Sequence, residues 1–329
     1  MTALTRGELT GLCRAALAAA GAPGADARVL AEATAEAEAA GVRAVGVSHL
    51  FDYLAGYREG RIARDSPVVR RAAPAVVDVD ARAGLAQAAY AAAAGELAAA
   101  AREAGVAALW IANSFTCGEL GWYARRLAEA GFLALAMANS PALMSVGGAP
   151  RPVLGTNPLA YGVPRPGRLP VVIDQASSST AFVNVRRAAE TGAPIPAGWA
   201  LGPDGEQTTD AAAALLGTLL PFGGHRGGNV ALLVEILATL SGGQFSLDAP
   251  PFDRGTASPG IGVFLLAVDP ARFGGSVDRL AGHLERLTEG HGVRLPALEL
   301  TGPPEAVDVD PDLVERLRAA AGAQTVQEG

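Results

Sequence analysis

The stretch from Gly147 to Ser178 constrains the fold more tightly than any other part of the chain. It contains the turn Gly155-Thr156-Asn157-Pro158 and an apolar run, Pro170 to Ile173, that leads directly into Asp174. Because this run is β-branched, we expect a buried strand whose end places the carboxylate on the rim of the core. The turn offers backbone N–H groups, a hydroxyl and an amide, which suit a carboxylate or phosphate ligand. The alternative is a purely structural connection.

The length and charge of the chain narrow the classes of fold and partner. With 329 residues, the chain exceeds the size at which one hydrophobic core usually stops growing, which predicts two domains. A net charge of -7 argues against nucleic acid or an anionic membrane as partner, because both require clustered positive charge. No secretory signal and no apolar run long enough to span a bilayer is expected. A small-molecule substrate is therefore the better hypothesis.

The two cysteines give an expectation about the compartment. Cys13 and Cys117 are too few and too far apart in sequence to indicate a disulfide framework or a zinc site. We therefore expect no bound metal and a cytoplasmic, reducing location.

Two polar segments stand at predicted helix starts. Ser48 precedes His49 and a helical pattern of apolar residues, so we expect Ser48 to cap the helix and His49 to lie in its first turn. The loop from Asn113 to Gly121 follows a predicted strand, Val106 to Ala112, and enters a helix near Trp122, which is typical of a phosphate site. No GxGxxG fingerprint is present, so a Rossmann fold is disfavoured. Structural roles for both segments are the alternative.

A third candidate site surrounds His225 and Arg226. Two glycine pairs bracket this basic dipeptide, and an apolar helix follows without a charge until Glu235. Cationic side chains at a helix start can bind an anion together with the backbone. A plain glycine turn into a core helix is the alternative.

Taken together, these stretches resemble the malate and L-lactate dehydrogenase family of the non-Rossmann type. Within it the chain looks most like the Δ1-piperideine-2-carboxylate/Δ1-pyrroline-2-carboxylate reductases, over roughly residues 10 to 300. The resemblance rests on the following motifs: Ser48-His49, Gly60-Arg61-Ile62, Leu154 to Pro158, Asp174-Gln175-Ala176, Pro196 to Ala200, Thr208-Thr209-Asp210, and Leu220 to Gly227.

The resemblance implies an α/β (α+β) fold with a mostly antiparallel sheet in its non-Rossmann nicotinamide-binding domain. It places a helical domain at residues 1–72, joined by C-terminal helices at 270–329, and the cofactor and substrate domain at 73–269. It also implies a homodimer and an NADPH cofactor, with NADH as an alternative.

The resemblance further implies catalytic and binding residues. His49 would donate a proton to the substrate, and Ser48 and Asp174 would form a relay that sets its orientation and charge. Tyr53 and Thr156 occupy substrate-contacting positions. The positions implied to bind the cofactor are Thr116, Cys117, Gly118, Glu119, Leu120, Asp174, Gln175, Ala176, His225, Arg226 and Arg294.

Two departures from the family pattern bear on the substrate. Tyr53 stands where the family usually has an arginine that binds the substrate carboxylate, and tyrosine cannot form a bidentate ion pair. Thr116 replaces the histidine that acts as base in some 2-hydroxy-acid dehydrogenases. We therefore expect an NAD(P)H-dependent reductase of a cyclic imine or imino acid, with an atypical substrate in biosynthetic, specialised metabolism. The alternatives are a 2-hydroxy/2-oxo acid dehydrogenase and a repurposed family member without hydride transfer.

Overall fold

A computed structural model describes residues 1–274, 276–295 and 304–322 of the chain. The α-helices in these residues are α1 (Arg6–Ala19), α2 (Gly24–Ala39), α3 (Val47–Arg58), α4 (Ala86–Ala104), α5 (Leu120–Glu129), α6 (Phe182–Thr191), α7 (Ala211–Leu216), α8 (His225–Thr239), α9 (Val277–His291) and α10 (Pro311–Ala320). The strands are β1 (Thr2–Thr5), β2 (Val68–Ala73), β3 (Val76–Asp80), β4 (Val106–Ser114), β5 (Leu133–Ala138), β6 (Leu159–Val163), β7 (Val171–Gln175), β8 (Ala200–Leu201), β9 (Gln207–Thr208), β10 (Thr218–Leu219), β11 (Ile261–Val268) and β12 (Ala306–Val309).

A seven-stranded sheet forms the centre of the molecule, in the order β2-β3-β4-β11-β5-β6-β7. Only the β3–β4 pair is parallel, and the long helix α4 makes the crossover that this pairing requires. All other neighbours in this sheet are antiparallel. The predicted mixed fold with a mostly antiparallel sheet is therefore confirmed.

Helices cover both faces of the central strands, which explains why those strands are apolar almost throughout. Along β4, Leu109 and Ile111 face the core beneath α4 and α5, whereas Ala108 and Trp110 face α8. Alanines at helical spacing on α4 allow its backbone to approach the sheet closely. The Trp110 indole also donates a hydrogen bond to the Leu237 carbonyl of α8, at 2.9 Å.

The two ends of the chain meet in a second core. Strand β1 pairs with β12 over Thr2–Thr5 and Ala306–Val309, and α1 packs against α10. Buried residues of α1, α2 and α3 join Val314 and Leu317 of α10 in one apolar cluster. The predicted domain boundaries stay predictions, and the part of the C-terminal unit after residue 322 lies outside the described residues.

A third, smaller core carries the segment between β7 and α8. It combines α6, α7 and the short sheet β10-β8-β9.

None of the helices in the described ranges is long and apolar enough to cross a membrane.

The strand that contains Asp174 differs from the sequence prediction. We expected the Pro170–Ile173 run to form a buried strand, but β7 lies at one edge of the sheet, and in it only Val171 is buried. An edge strand has a neighbour on one side only, so β-branched composition alone does not distinguish it from a central strand.

Candidate active site

His49 is held at a fixed orientation on α3. Its ring packs edge-on against the rings of Tyr53 and Phe252, with centroid separations of 4.9 and 5.5 Å. Its Nδ1 lies 2.8 Å from a carboxylate oxygen of Asp52, and its Nε2 lies 3.4 Å from the Thr116 hydroxyl. The imidazole therefore has a carboxylate on one nitrogen and a weak hydroxyl contact on the other.

Ser48 is placed differently from the prediction. Gly46, not Ser48, precedes the first residue of α3, so the predicted cap is wrong, while His49 does lie in the first turn. The exposed Ser48 hydroxyl donates a hydrogen bond to the Arg43 carbonyl, at 2.8 Å. Its hydroxyl is therefore engaged by the preceding turn rather than by His49.

The hydroxyl of Tyr53 lies in a buried hydrogen-bond network. It lies 2.6 Å from the Thr116 hydroxyl and accepts a hydrogen bond from the Gln87 amide at 3.2 Å. The same amide donates to the Cys117 carbonyl, at 3.0 Å. Tyr53 is 2% exposed, and burial raises the pKa of its hydroxyl well above the usual value. Tyr53 therefore anchors the loop that begins at Thr116.

The Thr116–Leu120 loop lies between His49 and Asp174: Thr116 contacts His49, and Gly121, which follows the loop, binds Asp174. Burial raises the pKa of the Cys117 thiol to about 12, which keeps it protonated and unreactive. Gly118 has a positive φ of 64°, and a Cβ there would lie 2.7 Å from the Gln87 amide nitrogen. Buried Glu119 forms an ion pair with Arg125, at 2.6 Å.

Asp174 binds the start of α5. At Gly121, the second residue of this helix, the backbone N–H donates to the Asp174 carboxylate at 2.7 Å, a favourable position for an anion. Asp174 makes no hydrogen bond to either Ser48 or His49, all three being described residues, so the predicted relay is not formed by direct contacts.

The Asp174 carboxylate lines a cavity of about 800 Å³ between β7, α2 and α5. Asp174 is an exposed residue, although neighbouring protein atoms partly desolvate its carboxylate. Desolvation, with a further contribution from the negative charge of Glu119, raises the pKa of Asp174 to about 6. The Gly121 N–H and Arg125 oppose this shift only partly. A carboxyl group with this pKa changes charge near neutral pH, as groups at functional sites often do.

Backbone hydrogen bonds bring the other predicted loops together. Ser177 follows Gln175 and Ala176, and its N–H donates to the Thr156 carbonyl at 2.8 Å. The Ser177 carbonyl accepts from the N–H of Phe222 at 3.0 Å, just before α8. The Thr156 turn, the Asp174 segment and the start of α8 therefore form one continuous surface.

His225 and Arg226 are the first two residues of α8, as predicted, and both are exposed. Gly227 behind them has no room for a side chain, because a Cβ would lie 2.3 Å from the Phe222 carbonyl oxygen. The predicted Arg294 lies in the exposed segment after α9 and has no hydrogen bond to the other described site residues.

A buried carboxylate supports the Thr156 turn from below. Asn157 has a φ of 35°, and its amide donates to the carboxylate of Glu235 and to the Ala231 carbonyl, at 2.8 and 2.9 Å. Glu235 also accepts from the backbone N–H and hydroxyl of Ser246, at 2.6 and 2.7 Å. This network fixes the turn to α8.

Sequence reasoning missed two residues that contact the predicted site. Asp52 follows His49 by three residues, and this spacing on a helix was the signal that could have identified it. Gln87 lies in the first turn of an alanine-rich helix and carried no comparable signal.

Residues 4–292 match the malate/L-lactate dehydrogenase family. A (2R)-3-sulfolactate dehydrogenase (NADP(+)) of Chromohalobacter salexigens is 38% identical over 321 residues, covering 95% of this chain and 96% of the relative. A Δ1-pyrroline-2-carboxylate reductase of Ancylobacter novellus is 39% identical over 302 residues, or 89% of each chain.

A solved structure is also similar over nearly the whole chain. The crystal structure of Δ1-piperideine-2-carboxylate reductase from Pseudomonas syringae pvar. tomato superposes with a TM-score of 0.89 at 34% identity. The match covers 97% of this chain and 100% of that structure.

Proposed function

The chain belongs to the malate/L-lactate dehydrogenase family, and on this premise we propose that it is an NADPH-dependent reductase of the C=N bond of a cyclic imino acid or related imine. The observation that carries the proposal is the oriented imidazole of His49, which has one nitrogen on Asp52 and the other facing Thr116. Relatives named as pyrroline- or piperideine-2-carboxylate reductases support the substrate class.

The surface around the start of α8 suits the phosphates of a dinucleotide. Gly223 and Gly224 have positive φ values of 55° and 64°, which leave the backbone free of side chains where His225 and Arg226 are exposed. We propose that these residues hold NADPH together with the Thr116–Leu120 loop and with Gln175 and Ala176. When bound, the nicotinamide supplies hydride to the carbon of the C=N bond. NADH remains the alternative cofactor.

His49 would supply the proton. A cyclic imine accepts hydride far better as the iminium, and a histidine can exchange a proton near neutral pH. Asp174, bound to the Gly121 N–H, would fix the loop next to this proton donor. Thr156 would contribute to the substrate surface from its supported turn.

The direct test measures NADPH consumption with Δ1-piperideine-2-carboxylate, Δ1-pyrroline-2-carboxylate, carboxylate-free cyclic imines and 2-oxo acids. We expect turnover of an imine, and a loss of at least about a hundredfold in His49→Gln. The matched control is His283→Gln, an exposed histidine of α9. Full activity in a folded His49→Gln variant would refute the assignment.

A second candidate is the oxidation of a 2-hydroxy acid. The similarity to the sulfolactate dehydrogenase over 95% of this chain favours it. It is the weaker candidate, because Thr116 occupies the position of the histidine that acts as base in some such enzymes. Turnover of a 2-hydroxy acid with NADP+, together with no reduction of any imine tested, would make the dehydrogenase the favoured function.

We further propose that the protein acts as a homodimer in the cytoplasm. Helix α8 and the residue that follows it expose a row of large apolar side chains on the face opposite the sheet, formed by Leu232, Leu233, Ile236 and Leu240. Such a continuous apolar face is typical of an interface between copies.

The cysteines support the proposed cytoplasmic location. Cys13 and Cys117 are both free, which suits a reducing compartment.

A further inference from the structure

We infer that Asp52 is the positioning carboxylate of His49 and determines which ring nitrogen delivers the proton. This inference rests on the proposed function of His49 as proton donor. The family resemblance implies an orienting role for Asp174, but that carboxylate binds the Gly121 N–H instead. The oxygen that reaches the imidazole belongs to Asp52, at 2.8 Å from Nδ1.

The helix itself explains the contact. Residues three apart on an α-helix lie on the same face, so His49 and Asp52 are neighbours without any contribution from a distant loop. The His49 side chain is 11% exposed and that of Asp52 is 34% exposed. Asp52 therefore touches the partly buried imidazole while keeping part of its own hydration, which lowers the cost of holding a charge there.

The contact decides the tautomer of the neutral ring. An ionised carboxylate can only accept hydrogen bonds, so Nδ1 must carry a proton and donate it to Asp52. Nε2 then exchanges the catalytic proton and faces the Thr116 hydroxyl. The Thr116 hydroxyl donates to the Tyr53 hydroxyl, at 2.6 Å, and Tyr53 donates to the Thr116 carbonyl, at 3.4 Å. The Thr116 oxygen is therefore left to accept a hydrogen bond from the Nε2–H that the charged ring presents.

Among the described residues, no other charged side chain forms an ion pair with the imidazole. Arg61 lies over the neighbouring Phe115 ring, but its guanidinium is held by the Glu59 carboxylate and the Phe252 carbonyl. Burial keeps the Tyr53 hydroxyl and the Cys117 thiol neutral. Asp52 is therefore the ionic partner of His49 among the described residues.

The experiment combines NMR with kinetics. In ¹⁵N-histidine-labelled protein, with His49→Gln used to assign the signal, we expect neutral His49 to carry its proton on Nδ1. In Asp52→Ala the ring should revert to the Nε2–H form, which can donate to Thr116, and Asp174→Asn should leave the tautomer unchanged. This readout requires no substrate, so it tests Asp52 even if no imine is reduced.

The kinetic arm separates positioning from folding. We expect Asp52→Ala to lower kcat by about 10- to 100-fold, as for other carboxylates that orient a functional histidine, with the Kd of NADPH unchanged. Asp52→Glu should recover part of kcat. Asp65→Asn, an exposed carboxylate 3.8 Å from Arg82, is the control and should behave as wild type. An unchanged tautomer and kcat in folded Asp52→Ala, as judged by circular dichroism, would overturn the inference.

Discussion

Replacing Asp174 by asparagine is expected to stabilise the fold at neutral pH. The pKa of Asp174 is raised from 3.8 to about 6 in the folded chain. The unfolded chain therefore releases this proton at lower pH than the folded chain. Because proton binding is coupled to folding, the contribution of protonated Asp174 to the free energy of unfolding is fully present below about pH 4. It is lost as the pH rises through about 6.

The size of the effect follows from the shift. About two pKa units at about 1.4 kcal/mol each set an upper limit of about 3 kcal/mol. Part of Asp174 faces solvent, which screens the charge, so we expect a gain of about 1 kcal/mol for Asp174→Asn at about pH 8. The asparagine carbonyl can still accept the Gly121 N–H, so the loop contact is retained.

The assay is urea unfolding followed by circular dichroism over a pH series at one protein concentration. The gain in the free energy of unfolding should shrink progressively as the pH is lowered towards about 4. Asp65→Asn, which removes an exposed carboxylate outside the cavity, should show no such trend. A variant that is less stable than wild type at about pH 8, or a difference independent of pH, would refute the reasoning.

Three further substitutions test the described geometry. Gly227→Ala places a Cβ 2.3 Å from a backbone oxygen and should weaken NADPH binding by about tenfold in calorimetry, whereas Gly228→Ala, with its nearest neighbour at 3.5 Å, should not. Asn157→Ala removes two buried hydrogen bonds, one to a carboxylate, and should lower the free energy of unfolding by about 3 kcal/mol in urea titrations; a loss under about 1 kcal/mol would contradict this. Ile236→Asp should convert the proposed dimer to monomer in sedimentation velocity, while Leu216→Asp, an exposed leucine outside α8, should sediment as wild type; a monomeric wild type would contradict the proposed dimer.

The sequence predicted elements best where one local signal dominates. The glycine pair before His225 marks the start of α8, as predicted. The apolar run that begins at Val106 forms β4, as predicted, because a strand covered on both faces is apolar throughout.

Predictions failed where the outcome depended on tertiary contacts. Ser48 has the composition of a helix cap, but the Arg43 turn captures its hydroxyl and Gly46 precedes the helix. The order of strands in the sheet, which makes β7 an edge, leaves no trace in the residues of β7 itself. The motifs do gather near one another, yet the carboxylate that reaches His49 comes from the same helix and not from the distant segment.

The position of β11 governs when this protein can complete its fold during synthesis. This strand, at Ile261–Val268, fills the middle of the sheet between β4 and β5, which precede it by more than a hundred residues. Until β11 leaves the ribosome, β4 and β5 have no strand between them, so each is an apolar edge strand of its own half of the sheet. Unpaired apolar edge strands are prone to aggregation. Because this pairing spans so much of the chain, folding is expected to be slow and to depend on chaperone protection until the last third of the protein has been made.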